Sequence, residues 1–444
     1  MTPTRSLRPA LAATLTATAL ACGLLATPEP AVAQTSTVPR VAGEVLVQLR
    51  AGADLPAVQT QYRLSLLARF GARPIFRFRV AAGGDVDATV AALMADPRVV
   101  HAEPNILAGA PEARVRTVWA VGTAGQFGSQ WAADALALPQ AHAHATGAGQ
   151  VVAVLDTGVD RSHPALAGRL LPGHDFVDGD ADPSEAGAPG IGAWGHGTHV
   201  AGLVALAAPR AAILPLRVLD ERGEGNLWVL AEALLHAVDP DGNPFTRDGA
   251  RVINMSLGTL QRTDLLDVVT RLVQCDDNDD DDDESEKTKD RFKDDGYQAD
   301  RERCNVLGSA VVMAAAGNGG STSERQYPGA EAAAGTLALA ASNATGRIAP
   351  FSNRGSWVNV AAPGDAVVST VPGGGYGSWS GTSMAAPLAA GVAALLLERN
   401  PDWKPQDVTK RLLEKSVRLC DTPLRQLHAE AAVLDQDRRG PRCR

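Results

Sequence analysis

The chain has 444 residues, of which 45% are hydrophobic, and a formal net charge of −9. A chain of this length has room for about three domains of roughly 150 residues, and its composition is that of a globular protein, not of a disordered or fibrous one. The negative charge argues against nucleic acid as a partner.

Residues 1–33 have the pattern of a secretory signal peptide. Two arginines precede an apolar run, and small residues at 31–33 suit a cleavage site. A lipoprotein signal at Cys22 is the alternative, although Ala19 stands where such a signal carries leucine. Because no later apolar run reaches the about 18 to 20 residues of a membrane span, we predict a secreted protein, extracellular or periplasmic, with no membrane span.

Residues 41–109 have the pattern of a small separate α+β module. Strands are predicted at 43–49 and at 76–80, where Phe76, Phe78 and Val80 share one face. One helix is predicted within 55–70 and a second after Asp85, which can cap it. The side chains predicted to be buried on these helices are Leu55, Val58, Leu66 and Phe70, then Val86, Val90, Leu93 and Met94.

From about residue 125 the character of the chain changes to long apolar runs that alternate with helical patterns. Runs such as VVAVLD, VINMSLG and AVVMAAAG are typical of strands buried on both faces of a parallel sheet. Helical patterns such as HVAGLVALAA lie between them. The sequence therefore predicts an α/β domain with a parallel sheet, whose chemistry is expected at the carboxyl ends of the strands.

Three short segments, each predicted to end a strand, carry a polar residue among small ones: Asp156, His196 and Ser383. A serine hydroxyl does not ionise near neutral pH, so an imidazole must accept its proton as it attacks. A buried carboxylate can then fix the imidazole tautomer and stabilise its charged form. Taken alone, such an aspartate or serine is more often a turn or cap residue, but the helix after Ser383 would also favour a developing oxyanion.

Together, the segments VAVLDTGVD, HGTHVAG and GTSMAAP resemble the signature segments of the subtilisin-like serine proteases, the subtilases, in the family's order of Asp, His and Ser. The resemblance runs from about Trp131 to at least Arg399 and implies a three-layer subtilisin-like catalytic domain. It also implies that Asp156 orients His196, that His196 is the general acid and base, and that Ser383 is the nucleophile.

Further roles follow from the same resemblance. Asn318 looks like the family's oxyanion-hole asparagine, which would donate beside the backbone N–H of Ser383, while His199 matches a position that is not catalytic. Substrates of this family add as a strand to exposed edges of the enzyme. The residues that match these edges, unless they are ordinary strand ends and loops, are Ser256, Leu257, Gly258, Gly223 and Gly225.

The module at 41–109 resembles the α+β propeptide that assists the folding of subtilases and inhibits them. By this resemblance the propeptide is an intramolecular inhibitor, and the enzyme cuts itself free between Asn105 and about Gln130. A permanent extra domain is the alternative. The predicted catalytic domain spans residues 125–444.

The stretch 275–304 is acidic and has a cysteine at each end. Between the cysteines it contains 14 acidic and six basic residues, which accounts for most of the net charge of the chain. Blocks of like charge are usually solvated, and the run lacks the glycine and glutamate positions of a calcium-binding loop. We predict a surface insertion closed by Cys275–Cys304, and a tail held by Cys420–Cys443. The four cysteines that remain after cleavage of the predicted signal peptide allow three connectivities, and free thiols or metal ligands are the alternative.

The sequence thus predicts a secreted serine endopeptidase that cleaves protein or peptide substrates through an acyl-enzyme, as a monomer. Peptide transfer by the same triad and a non-catalytic binding protein on this fold are the alternatives. The chemistry requires no cofactor. Structural calcium is allowed, with the stretch Asp175–Glu185 as one candidate.

Overall fold

The computed structural model describes residues 38–114, 120–243, 246–275, 309–331, 333–420 and 422–440. The predicted signal peptide, most of the acidic insertion, and Cys304 and Cys443 lie outside these ranges. Within them, no helix is both long and apolar enough to cross a membrane. All the described ranges belong to one compact unit that begins at Val38.

The leading module is an antiparallel sheet with two helices. Its strands pair in the order β2-β3-β1-β4, and β4 pairs on its other side with β9, a short strand from much later in the chain. These elements are β1 (Arg40–Leu49), α1 (Leu55–Tyr62), β2 (Ser65–Arg69), β3 (Ile75–Arg79), α2 (Val86–Met94), β4 (Val99–Gly109) and β9 (Glu224–Asn226). The α+β prediction is confirmed for this part of the chain.

Two details of that prediction are wrong. The first helix does not reach Phe70, because Arg63 adopts a left-handed conformation (φ 53°) and the chain turns into β2. Leu66, placed on the helix by its spacing, lies on this strand and is 41% exposed. Met94 of α2 is 47% exposed, although Asp85 does cap α2 by accepting from two backbone N–H groups.

The second sheet has nine strands in the order β16-β17-β13-β12-β11-β10-β6-β8-β7, and every pair except β16 with β17 is parallel. The strands are β6 (Val151–Asp156), β7 (His174–Asp175), β8 (Ala212–Arg217), β10 (Val252–Met255), β11 (Val311–Ala315), β12 (Thr336–Ser342), β13 (Val360–Pro363), β16 (Val417–Arg418) and β17 (Arg425–Gln426).

Helices cover both faces of this sheet and form the outer layers of a three-layer α/β domain. Alternate side chains of β6 show the arrangement, since Val152 and Val154 pack in one hydrophobic cluster and Ala153 and Leu155 in the other. α6 (His196–Ala207) and α9 (Thr382–Arg399) contribute to the first cluster, and α7 (Leu227–Val238) and α8 (Asp264–Gln274) to the second. The near-continuous apolar runs are therefore explained by burial on both faces.

The remaining described elements complete the domain. β5 (Ala120–Gly122), β14 (Val367–Val371) and β15 (Gly375–Trp379) form a small antiparallel sheet. The other helices are α3 (Ala124–Gly128), α4 (Trp131–Ala135), α5 (Leu138–His142), α10 (Pro405–Glu414) and α11 (Ala429–Leu434). α9 packs on the first face of the large sheet and begins at the carboxyl end of its strands.

Candidate active site

Asp156, His196 and Ser383 lie together where β6, α6 and α9 meet. Asp156 is the last residue of β6, but His196 is the first residue of α6 and Ser383 is the second residue of α9. The prediction that all three end strands is therefore wrong for His196 and Ser383. Asp156 Oδ1 contacts His196 Nδ1 at 2.6 Å, and all three residues are at most 1% exposed.

A half-buried glutamate, which the sequence singled out only as the end of a candidate calcium stretch, holds the turn after Asp156. The backbone N–H of Thr157 donates to Asp156 Oδ1, and the Thr157 hydroxyl donates to Glu185 Oε1 at 2.5 Å. Glu185 also accepts from the N–H of Gly195 and from Thr198, at the start of α6. Burial raises the pKa of Glu185 to about 7. One side chain thus ties the strand that carries Asp156 to the helix that carries His196.

The backbone of Ser383 has an unusual partner because a proline lies one turn later. Pro387 has no N–H with which to bond the Ser383 carbonyl, so the usual helical hydrogen bond is missing. The Ser256 hydroxyl donates to that carbonyl at 2.9 Å, and Asn254 Nδ2 donates to the Ser256 hydroxyl. Ser256, predicted only as part of a substrate edge, therefore also supports the first turn of α9.

Asn318 lies just beyond the end of β11, facing the same turn. Its Oδ1 accepts from the N–H and the hydroxyl of Thr382, both at 2.9 Å. Because these donors fix the amide orientation, Nδ2 points toward the space above Ser383. The position predicted for an oxyanion-hole donor is thus brought next to Ser383.

The acceptor in that space is Glu112, which no sequence pattern singled out. Its Oε2 accepts from Ser383 Oγ at 2.5 Å and lies 3.2 Å from His196 Nε2. Its Oε1 accepts from Asn318 Nδ2 at 2.7 Å and from the Ser383 N–H at 3.4 Å. Four groups from three segments of the catalytic domain therefore converge on one buried carboxylate from the leading segment.

The charges at this point favour a protonated His196. Burial lowers the pKa of His196, but the charge and hydrogen bond of Asp156, together with those of Glu112, outweigh it and raise the pKa to about 10. Burial raises the pKa of Glu112, but its contacts with His196, Ser383 and Asn318 prevail and hold that pKa below its usual range. A protonated imidazole cannot accept a proton from Ser383, so this arrangement of charges opposes attack by the hydroxyl.

The segment before Glu112 lies as a strand between the two predicted substrate edges. Leu107–Gly109 pair antiparallel with β9, in which Gly225 lies opposite Ala108. The N–H groups of Gly109 and Gly258 each donate to the other's carbonyl at 3.0 Å, and the N–H of Ala110 donates to the carbonyl of Gly223 at 3.1 Å. Leu257 places its side chain in the core and is fully buried. These edges hold a peptide by its backbone alone.

His199, expected from the resemblance to be non-catalytic, lies on α6 one turn after His196 and packs against other groups. Its ring stacks on Trp379 with centroids 5.0 Å apart, and Nε2 lies 3.2 Å from the carbonyl oxygen of Gly377. Burial and the nearby charge of His196 lower the pKa of His199 to about 3. It is a neutral packing residue.

The acidic groups considered for calcium have protein partners. In the stretch Asp175–Glu185, Asp175 and Asp178 both pair with Arg217, and Glu185 binds the start of α6. Within the described ranges, one set of three carboxylates has oxygen atoms within 4.8 Å of one another, namely Asp239, Asp241 and Asp248. Carboxylate oxygens suit calcium, but exposed acidic groups also lie this close without it. Structural calcium stays a prediction.

Comparison with known proteins matches both parts of the chain. A model of the subtilase family matches residues 147–437, and a model of the fervidolysin N-terminal prodomain matches residues 26–105. A thermophilic serine proteinase of Bacillus sp. (strain AK1) is 34% identical over 374 residues, which cover 80% of this chain and 78% of the relative. Thermitase of Thermoactinomyces vulgaris is 36% identical over 278 residues, covering 60% of this chain and 81% of the relative.

A solved structure extends the likeness of fold to the leading module. The crystal structure of fervidolysin from Fervidobacterium pennivorans, a keratinolytic enzyme related to subtilisin, is similar with a TM-score of 0.66. The similarity covers 90% of this chain and 64% of that chain at 22% identity. At this identity, the comparison speaks for the fold alone.

Proposed function

Because the chain belongs to the subtilase family of serine proteases and carries a fervidolysin-like N-terminal prodomain, we propose that it is a secreted endopeptidase made as a self-cleaving precursor. One observation carries the proposal: His196, Ser383 and Asn318 all point their polar atoms at a single carboxylate. The scissile carbonyl of a substrate would occupy the place that Glu112 holds.

In the proposed mechanism, the leading segment has left and the pKa of His196 falls because the Glu112 charge is gone. His196 Nε2 then accepts the proton of the Ser383 hydroxyl as Oγ attacks the substrate carbonyl. The N–H of Ser383 and Asn318 Nδ2 donate to the developing oxyanion, and Asp156 stabilises the protonated ring. His196 next protonates the leaving amine. A water molecule then gives its proton to His196 and attacks the acyl-enzyme, and His196 returns the proton to Ser383 Oγ as the acid product leaves.

We propose the domain limits predicted from the sequence, with a propeptide at 41–109 and a catalytic domain at 125–444. The strand contacts of Leu107–Ala110 support inhibition by occupation of the substrate edges. Glu112 adds a block at the chemical centre, because its charge favours the protonated form of His196. The cut is proposed between Asn105 and about Gln130, the range predicted from the sequence.

The test is a Ser383→Ala precursor, with Ser356→Ala, an exposed serine, as the matched control. We expect the S383A precursor to keep its leading segment and to cleave no peptide, whereas the S356A precursor matures normally. Release of the segment by purified S383A protein, with undiminished peptidase activity, would overturn the proposal. Mass spectrometry of products formed with an added amine separates hydrolysis from peptide transfer.

The acidic insertion is proposed to be dispensable for this chemistry. The N–H of Ala310 donates to the carbonyl of Val273 at 2.8 Å, so the chain on its two sides already meets. We propose the disulfides Cys275–Cys304 and Cys420–Cys443, to be checked by mass spectrometry of unreduced peptides. Deletion of 276–303 with both cysteines kept should preserve cleavage of small peptides. A folded but inactive deletion variant would show that the insertion belongs to the site.

A further inference from the structure

A cavity of about 180 Å³ lies beside Asn318, between the Gly258 edge and the loop that follows β11. Its lining includes Pro111, Gly258, Leu260, Asn318, Glu324 and Gln326. At about 30 Å³ for each water in the liquid, this volume is that of roughly six waters. It therefore has room for one long side chain.

The bound leading segment indicates which substrate residue faces this cavity, since of its two lining residues, Gly109 and Pro111, only Pro111 carries a side chain. Gly109 and Ala110 are held by Gly258 and Gly223, and the next residue, Pro111, lines the cavity. Glu112 follows and contacts Ser383. A substrate strand on the same path places at the position of Pro111 the residue whose carbonyl Ser383 attacks, and the side chain of that residue enters the cavity.

Gln326 forms a polar floor for the cavity. The residue is only 4% exposed and packs against two glycines. A Cβ atom at Gly258 would lie 2.7 Å from Gln326 Cγ, and one at Gly317 would lie 2.7 Å from Gln326 Oε1. Because both neighbours lack a Cβ atom, the Gln326 side chain packs closely against their backbones where it lines the cavity. A large apolar side chain would meet the amide of Gln326 in place of an apolar floor.

Glu324 supplies a negative charge at the wall. Its backbone is fixed, since its N–H donates to the Ser321 hydroxyl at 2.8 Å and its carbonyl accepts from Asn353 Nδ2 at 3.1 Å. None of the cations in the described part of the chain pairs with its carboxylate, and the neighbouring Arg325 lies over the Trp357 ring at 5.8 Å. The carboxylate is therefore available to a ligand.

We propose that Glu324 and Gln326 make this enzyme select lysine or arginine as the residue on the acyl side of the cleaved bond. The inference rests on the proposed function and adds its substrate class. A long stem fills the cavity, and the cationic group reaches the carboxylate and the amide oxygen at the wall and floor. Because Glu324 is exposed to water, its contribution is moderate and sensitive to salt.

The experiment compares the processed enzyme on peptides that differ only at this position, which carries lysine, arginine, methionine or glutamate. We expect kcat/KM to be higher for lysine and arginine than for methionine, a neutral side chain of similar length, and lowest for glutamate. Glu324→Gln should lower the lysine-to-methionine ratio about fivefold, because the lysine peptide loses a charged partner and the methionine peptide does not. Glu324→Arg should raise the rate for glutamate. Glu414→Gln, an exposed glutamate on α10, is the matched control.

Activity on the methionine peptide reports folding of each variant and separates the two proposals. No cleavage of any peptide by the wild-type enzyme would reject the proposed function. Cleavage with methionine preferred over lysine and arginine, or an unchanged ratio in the E324Q variant, would overturn the specificity inference alone. In the wild-type enzyme the ratio should also fall as salt rises, and a salt-independent ratio would count against Glu324.

Discussion

His196 lies between two carboxylates that come from different parts of the chain. Asp156 belongs to the central sheet and contacts Nδ1 at 2.6 Å, whereas Glu112 belongs to the leading segment and lies 3.2 Å from Nε2. Both are buried, and both raise the pKa of His196. A catalytic base needs the first charge and is blocked by the second. In the proposed function, the position of a charge around the ring, and not its presence, distinguishes the processed enzyme from its precursor.

The largest expected effect comes from neutralising Asp156, the carboxylate that belongs to the central sheet. Asp156→Asn should slow self-processing of the precursor about 10⁴-fold, because the amide neither fixes the ring tautomer nor stabilises its charge. Gel analysis of precursor decay over time measures the change. Asp402→Asn, at an exposed aspartate, is the control. Processing of the D156N precursor near the wild-type rate would show that Asp156 does not serve His196.

A smaller loss of turnover is expected when Asn318 is replaced, because its amide would donate to Glu112 in the precursor and to the substrate in the processed enzyme. Asn318→Ala should lower the turnover of the processed enzyme about 10²- to 10³-fold, as expected for loss of one oxyanion donor. Steady-state rates on a small peptide measure it. The same change should also weaken the hold on Glu112, since Nδ2 donates to its Oε1 at 2.7 Å. A loss below threefold would assign Asn318 to structure alone.

Replacing Glu112 should speed self-processing, which is the opposite of the effect expected for Asp156. Glu112→Gln and Glu112→Ala are expected to speed self-processing by about tenfold to a hundredfold, because hydrogen bonds to a charged group contribute about 1.5–3 kcal/mol. The rate is followed as for the D156N precursor, with E414Q as control. If both variants mature at the wild-type rate or more slowly, Glu112 is not an inhibitory group.

The smallest effect concerns pH and the docking of β4. Burial lowers the pKa of His101, but its contacts with Asp264 and Glu103 outweigh it and raise the pKa to about 9. The protonated form of His101 therefore stabilises docking. This stabilisation is fully present below pH 6.5, the ordinary pKa of histidine, and is lost as pH rises through about 9. Release of the cut segment, followed as recovery of activity, should be about tenfold faster above pH 9 than below pH 6.5.

His101→Gln tests the assignment of that pH dependence. His196 titrates in the same direction, with a pKa raised to about 10, so part of the dependence should survive in the variant. We expect the remaining change to begin at higher pH than in the wild-type protein. An identical pH profile in the two proteins would show that His101 does not contribute to the pH dependence of release.

Most of the buried strands could be predicted because burial on both faces leaves a local signature. β6, β10 and β11 coincide with near-continuous apolar runs, and Asp85 caps α2 as its residue type suggests. The helix predicted through Leu66 failed because pairing of β2 with β3 prevails over helical spacing. The helix expected after Ser383 begins one residue before it, at Thr382.

The sequence by itself determined the candidate triad, because Asp156, His196 and Ser383 stand in three short segments that resemble the family's signature segments in the same chain order. Only the tertiary structure brought Glu112 to them, across 84 residues to His196 and 271 to Ser383. Its place depends on β4 docking between β9 and Gly258 through backbone hydrogen bonds. Such bonds leave no mark on side-chain identity, so a glutamate in a connecting segment carries no local sign of the centre it reaches.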